Sequence, residues 1–378
     1  DGQPDLAGGH PQPRAAGPMG IVVKRKNGKN ALILGASSYS NSGYAITRTN
    51  DLEGIGVVEE SYNGEGGLSN ANVGWAHVFR STTFVSAGES DSIRVSKRSL
   101  HLGVQTQYLF GQVSRASTLD IVDPTFLDHR ARVTAQHRSI STDIGAILDQ
   151  LLFARYNGNR EFRNSMALRL GGVFTPESGL SSDITRLDET TQTLGGIPIN
   201  LDTTYFKSDP AFPGRMPRSI NGAISLHYDR ADGMRWAAGF EYSSTAWSNV
   251  AEDMSPELLS EGVRWLDEEA IRFGFQFNLG NAEQRHPTWG KASYRFGLAS
   301  GNQPFEVDGV PISYKLASAG ATIPLVGSRS LSRIHFGMEF GTRSGPTDGV
   351  DESIYRINLG VSLMPFFKNQ WLVPRLYD

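Results

Sequence analysis

The chain has 378 residues, of which 39% are hydrophobic and none is cysteine, and its formal net charge is −3. The lack of cysteine excludes disulfide scaffolds, cysteine-ligated metal centres and thiol catalysis. The slightly acidic charge argues against a nucleic-acid binder with a broad basic surface. No apolar run approaches the ~18 residues of a membrane-spanning helix. A membrane-spanning β-barrel stays open, because its strands give a weak hydropathy signal.

From the N-terminus onward, the dominant pattern is a period of two, which is typical of strands. In 99–110, for example, Leu100 and Leu102 alternate with His101 and Gln105. About thirteen such segments are visible, and many reach the ~9–11 residues that a tilted strand needs to cross a bilayer. The segments are 18–26, 30–42, 68–79, 99–110, 130–154, 162–175, 220–228, 234–242, 271–280, 290–299, 310–323, 333–341 and 355–363.

The connections between these strands alternate in length. Tight turns at 26–29, 156–159 and 229–233 are rich in residues that tolerate positive φ. Four long polar segments are predicted as loops, at 43–66, 117–130, 176–213 and 246–263. The last should hold one short helix over 253–262, with Ser255 as its N-cap and Pro256 as its first residue. A Ser-rich insertion at 80–97 stands where a short turn would be expected.

Together these patterns predict an all-β fold, a transmembrane up-and-down antiparallel barrel of about 14 strands, with 13 visible in one domain over 1–378. A soluble β-sandwich would also alternate. Strand length, aromatic residues at strand ends and a face rich in Gly, Gln, Asn, His and Arg favour the barrel. The barrel predicts a bacterial outer-membrane location, with the long loops outside, the C-terminal tail in the periplasm, and lipid around the apolar face.

One face of the predicted strands is polar, and its residues are candidates for lining the lumen. Rings of arginine would attract anions, whereas paired arginines would only stiffen a closed interior. A histidine beside a lumenal serine would suit an outer-membrane hydrolase, although a merely hydrogen-bonded histidine is the more common case. The candidates are His101, Gln105, His227, Arg235, Glu241, Arg272, Arg295, Arg333, His335, Glu339 and Arg356.

The loop at 246–263 and the residues after it are unusually apolar. They could line a ligand groove, rest on the membrane or a partner, or cap the barrel mouth. The residues concerned are Leu258, Leu259, Val263 and Trp265. No motif of a hydrolase, nucleotide-binding or zinc enzyme is present. We therefore expect no enzymatic activity, catalytic residue, metal, cofactor or nucleic-acid partner.

Several sequence motifs carry a resemblance to a known family. These are Ala31-Leu-Ile-Leu-Gly-Ala-Ser-Ser-Tyr-Ser-Asn-Ser-Gly-Tyr44, Gly64-Glu-Gly-Gly-Leu68-Ser-Asn-Ala-Asn-Val-Gly-Trp, Leu102-Gly-Val-Gln-Thr-Gln-Tyr-Leu-Phe-Gly111 and the end from Leu363 to Asp378. The chain resembles the long-chain fatty-acid transporter (FadL-like) outer-membrane barrels. That resemblance implies a 14-stranded barrel, closed by an N-terminal hatch, that moves hydrophobic molecules inward.

The sequence departs from that family at its beginning, because the Asn-Pro-Ala element of the hatch is not found. We expect the hatch and first strand upstream of Asp1, or supplied by something else. The leading hypothesis is an outer-membrane barrel that binds or transports hydrophobic small molecules such as fatty acids. The alternative is an accessory or scaffold subunit of a secretion or barrel-assembly complex, with other outer-membrane proteins as partners.

Overall fold

The structure, a computed structural model, describes residues 19–24, 28–87, 92–123, 125–194, 197–258, 262–279, 292–324, 332–345 and 352–362. All its strands join one antiparallel sheet. They are β1 (Met19–Lys24), β2 (Asn30–Leu52), β3 (Gly56–Ser86), β4 (Ser92–Ile121), β5 (Asp128–Tyr156), β6 (Phe162–Thr175), β7 (Ser178–Leu194), β8 (Ile197–Met216), β9 (Ser219–Arg230), β10 (Arg235–Thr245), β11 (Val263–Trp265), β12 (Glu268–Asn278), β13 (Ser293–Val307), β14 (Val310–Pro324), β15 (Arg333–Ser344) and β16 (Glu352–Ser362).

Thirteen of these strands follow one another around the sheet, in the order β1-β2-β3-β4-β5-β6-β9-β10-β12-β13-β14-β15-β16. Each pairs with the strand before it in an up-and-down antiparallel arrangement, so the predicted all-β fold is confirmed. Among the described residues the sheet is not closed, because β1 pairs only with β2 and β16 only with β15. Within the same residues, no helix is long and apolar enough to span a membrane.

Four early strands are far longer than a bilayer crossing needs. β2 has 23 residues, β3 has 31, β4 has 30 and β5 has 29. At about 3.3 Å per residue, β3 is about 100 Å long, against a hydrocarbon core of about 30 Å. The predicted loops at 43–66 and 117–130 are therefore wrong over most of their length, because the strands continue through them.

The segment predicted as a loop over 176–213 is also mostly strand. Here β7 and β8 form a hairpin, and β7 pairs with the first half of β5, from Asp128 to Ser139. The second half of β5 pairs with β6 instead. The same edge of β5 therefore pairs with β7 over its first half and with β6 over its second half. Because of this, the sheet extends well past the other strands at this end. We call it the long-strand end, and the opposite end the short-turn end.

The insertion at 80–97 lengthens two strands of the sheet, since β3 and β4 continue through most of it as a pair. The helix predicted at 253–262 is instead two 3-10 turns, Trp247–Asp253 and Pro256–Leu258. The start of the second turn is as predicted, because Pro256 is its first residue and the Ser255 hydroxyl accepts the N–H of Glu257 at 3.4 Å. Residues 259–261 lie outside the described residues.

Candidate functional site on the polar face and at its mouth

The strand register brings the predicted polar residues of neighbouring strands side by side. Glu241 lies opposite Arg272, and Glu339 lies opposite Arg356. Their side chains form ion pairs, at 2.8 Å between Arg272 Nη1 and Glu241 Oε1 and at 2.6 Å between Arg356 Nη1 and Glu339 Oε1. Charged partners directly opposite each other on one face stabilise a sheet.

The other predicted arginines also have polar neighbours. Arg235 Nε lies 3.1 Å from Asp229 Oδ1, and Arg295 Nε donates to Gln276 Oε1 at 3.0 Å. Arg333 stands opposite Ser362 in the register. Four of the five arginines thus have a carboxylate or amide partner, which supports the paired-network interpretation over an anion-attracting ring.

An open cavity of about 600 Å³ lies on the polar face over the first half of the strand order. Residues from seven consecutive strands of the path, β2 to β10, contribute to its lining. Of the predicted residues, His101, Gln105 and Glu241 meet here. Most of the remaining wall is small or apolar, including Ile33, Gly74, Gly103, Gly145, Ile147 and Val173.

The three predicted histidines hydrogen-bond to nearby hydroxyl groups. A ring nitrogen of His227 lies 2.9 Å from Ser225 Oγ, and His335 contacts Thr322 and Ser362 at 3.0 and 2.8 Å. His101 lies beside both a serine and a carboxylate. Its Nε2 is 3.2 Å from Ser99 Oγ and 3.4 Å from Asp149 Oδ2. In a catalytic triad the serine and the carboxylate face different ring nitrogens, so this arrangement differs from a triad.

Sequence reasoning missed the carboxylates of β5 on the same face. Asp143 lines the cavity and accepts a hydrogen bond from Thr175 at 2.7 Å and another from Gln107. Asp149 accepts Arg169 Nε at 2.6 Å. The period of two in β5 is obscured because apolar residues such as Ile147 and Leu148 occur on both faces. Pairing each strand with its neighbour would have been needed to find them.

At the long-strand end, residues 246–258 and 262–267 form a segment that we call the mouth cap. The rings of Trp247 and Trp265 contact each other at a tilt, with centroids 5.4 Å apart, and Trp265 also meets Phe305 edge to face at 6.3 Å. Val263 lies opposite Val307 in the β11–β13 pair. Two of the four predicted apolar residues, Val263 and Trp265, therefore have apolar or aromatic neighbours, while Leu259 lies outside the described residues.

Ion pairs fix the mouth cap to distant strands. Glu257, whose side chain is only 11% exposed, lies 3.0 Å from Arg186 Nη1 on β7 and 3.4 Å from Lys207 Nζ on β8. Arg115 Nη2 on β4 donates to the Leu258 carbonyl at 3.0 Å. Since β4 and β10 are separated by three strands in the sheet order, the cap spans part of the mouth. Of the interpretations open for this loop, the described contacts favour a cap.

Electrostatics reinforce this attachment. Hydrogen bonds to Asp188 and then to Glu257 raise the pKa of the Arg186 guanidinium above its ordinary value. The Lys207 ammonium is likewise raised in pKa, first by Asp209 and then by Glu257. Both cations therefore stay charged at every physiological pH.

Comparison with known proteins adds one positive finding. The family model described as BamG matches residues 19–378. No curated protein and no solved structure matches the chain. These results leave the FadL-like resemblance as a prediction. Because the family match covers nearly the whole chain, from the first described strand onward, the chain belongs to the BamG family, whose name associates it with barrel assembly in the bacterial outer membrane.

Proposed function

We propose that this protein is a β-barrel subunit of a complex that assembles other barrels in the bacterial outer membrane. The family match over 19–378 is the observation that carries the proposal. Strands that continue far beyond a bilayer at both ends support it, since a subunit needs surfaces outside the membrane to bind partners. The long-strand end would face the exterior and the short-turn end the periplasm, as in outer-membrane barrels generally. The apolar face would contact lipid.

Purification of the tagged full chain from its native membrane in mild detergent tests this proposal. We expect barrel-assembly subunits to co-purify in fixed ratio, and depletion of the chain to slow the folding of other outer-membrane barrels. Folding can be followed by the heat-dependent shift of those barrels in gel migration. A chain that purifies alone, with unchanged barrel folding after depletion, would refute the proposal.

Binding of a hydrophobic small molecule is a second candidate function, favoured by the largely apolar cavity on the polar face. Gly103 and Gly145 lie opposite each other on its wall, and a Cβ added at either would meet its nearest atoms at 3.6 Å, an ordinary contact distance. Gly103→Leu should therefore fill the cavity without strain and reduce bound lipid, as measured by extraction and mass spectrometry. Equal lipid content in the variant and the wild type would argue against this function.

We propose no catalytic role for the polar face. The same ring nitrogen of His101, Nε2, faces both Ser99 and Asp149, which supports this view. Loss of a lipid-hydrolysing activity on His101→Ala would contradict it.

A further inference from the structure

At the short-turn end, β3 and β4 run on past their neighbours. The pairing of β2 with β3 ends at His77, and that of β5 with β4 ends at Arg98. Beyond these points β3 and β4 pair with each other, down to Ser86 opposite Ser92. We call residues 80–87 and 92–98 the basic ribbon. Among the described residues, the two strands of the ribbon pair with no other strand over 80–86 and 92–97.

The basic ribbon carries positive charge and an exposed aromatic ring. Arg80, Arg94, Lys97 and Arg98 are all exposed, and the sequence from 80 to 98, which also holds Glu89 and Asp91, has a formal net charge of +2. No carboxylate elsewhere in the described part of the chain forms an ion pair with these four cations. Phe84, which is 70% exposed, lies opposite Arg94, so the ring and the guanidinium share one face. Arg94 Nε donates to Thr82 Oγ1 at 2.9 Å, which holds it on that face.

The distance of Phe84 from the membrane distinguishes lipid from protein as a partner. Trp75 stacks on His77 at 5.9 Å between ring centroids, and His77 meets Phe79 edge to face at 4.5 Å, which resembles the aromatic belt of a membrane interface. Phe84 lies five residues beyond Phe79. This is about 16 Å along the strand, or about 12 Å along the membrane normal once the tilt of the strand is included. The headgroup layer is only about 5–8 Å thick on each side. Phe84 and Arg94 therefore lie beyond the headgroups, in water.

We propose that the basic ribbon docks onto an acidic surface of a partner protein in the periplasm. Phe84 would enter an apolar pocket as the anchor, and Arg94 and Lys97 would pair with carboxylates around it. Aromatic and arginine side chains dominate binding at protein interfaces, and complementary charge speeds and orients the encounter. This proposal rests on the proposed function in two respects. That function places the basic ribbon in the periplasm, and it makes the partner another subunit of the same complex.

The test uses the full chain in its native membrane, with two ribbon variants and two matched controls. Phe84→Ala is matched by Leu279→Ala, an apolar residue 58% exposed at the same end. Arg94→Glu is matched by Arg163→Glu, an exposed cation at the start of β6. A photo-crosslinking amino acid at position 84 identifies the contacted subunit among those that co-purify with the wild type. All ribbon side chains altered are exposed, so membrane levels of the variants should equal the wild type.

We expect position 84 to cross-link to one subunit, and both ribbon variants to retain that subunit about tenfold less. The controls should retain it fully. Reversal of a carboxylate to lysine in the cross-linked peptide of that subunit should restore its binding to Arg94→Glu.

Three results would overturn the inference. One is full retention in both ribbon variants, and another is a cross-link to lipid alone. The third is loss of the subunit on Arg94→Glu but not on Phe84→Ala, since that pattern belongs to an anionic lipid or polymer. Failure of the proposed function is a separate result, because the wild-type chain itself would then co-purify with no barrel-assembly subunit.

Discussion

Glu257 holds the mouth cap to the β7–β8 hairpin through Arg186 and Lys207, and Asp253 adds an ion pair to Arg215 on β8. The side chain of Glu257 is nearly buried, so removal of its charge leaves two cations without their shared partner. Loss of a hydrogen bond to a charged group costs about 1.5–3 kcal/mol. We expect Glu257→Gln to loosen the cap while the wall stays folded.

A buried cysteine reports this opening cleanly, because the chain has no cysteine of its own. Val250 lies in the cap and is 0% exposed, so a Val250→Cys thiol should react slowly with maleimide. Glu257→Gln should raise the labelling rate about tenfold, which corresponds to about 1.4 kcal/mol. Glu339→Gln, which breaks an ion pair elsewhere on the wall, is the control and should leave the rate unchanged. An equal labelling rate in Val250→Cys alone and in its combinations with Glu257→Gln and with Glu339→Gln would show that Glu257 does not hold the cap.

The tight turn between β9 and β10 offers a prediction about pH. Arg230 Nε donates to Asp232 Oδ1 at 2.8 Å, and this guanidinium lowers the pKa of the Asp232 carboxyl to about 2. In the unfolded chain the value is about 3.9. Because the folded pKa is the lower one, the stabilisation is complete above about pH 4 and is lost as the pH falls towards 2. A carbon-13 titration of the carboxyl should show its midpoint near pH 2, and Arg230→Gln should move it back towards 3.9.

At the scale of elements, β8 has an edge that is protected from pairing. It pairs only with β7 among the described strands, and Pro210 and Pro213 remove two backbone donors. Between the two prolines, Ala211 has a φ of 55°, and its N–H bonds to Asp183 Oδ1 at 2.9 Å. Such irregular edges prevent strands of separate molecules from joining.

We expect Pro210→Thr together with Pro213→Thr to regularise this edge and to promote self-association. Size-exclusion chromatography in detergent should then show dimers or larger species of the purified chain. Pro176→Thr, in the connection before β7, should remain in the wild-type state. If the double variant eluted like the wild type, edge protection would have to come from elsewhere.

The bilayer explains which elements could be predicted from sequence. Where a strand has lipid on one face and a polar interior on the other, its residues must alternate, and the alternation over 162–175 predicts the bounds of β6. In β7, Ser178–Leu194, both faces are largely polar, so no alternation appears and the sequence predicts a loop. The candidate site divides in the same way: His101 and Glu241 come from clean strands, whereas Asp143 lies on β5, where the alternation is weak.

At the scale of the whole molecule, β1 and β16 form the two edges of the sheet that have no partner among the described strands, and these edges differ from that of β8. Neither β1 nor β16 contains a proline, and their pairings show no register shift. Apolar side chains of β16 are unusually exposed, at 83% for Tyr355 and 72% for Ile357, against 47% for Phe340 on β15. Within a bilayer, unpaired strand edges do not persist, because nothing there satisfies the backbone.

The number of strands determines how these edges can be satisfied. Successive strands alternate in direction, so the first and last of thirteen run the same way and cannot form an antiparallel pair with each other. One further strand running in the opposite direction would pair with both. It would hold β1 and β16 about 9–10 Å apart, at two inter-strand spacings. That exceeds the ~7 Å limit between Cα atoms for a disulfide.

Paired cysteines in the native membrane test this closure. Phe340 and Tyr355 are register partners on β15 and β16, so Phe340→Cys with Tyr355→Cys should oxidise readily with copper phenanthroline. Ile21→Cys on β1 with Ile357→Cys on β16 should stay reduced, because the additional strand separates them. A rapid disulfide between 21 and 357 would instead mean that the thirteen strands close on themselves through a parallel pair, with no room for a fourteenth.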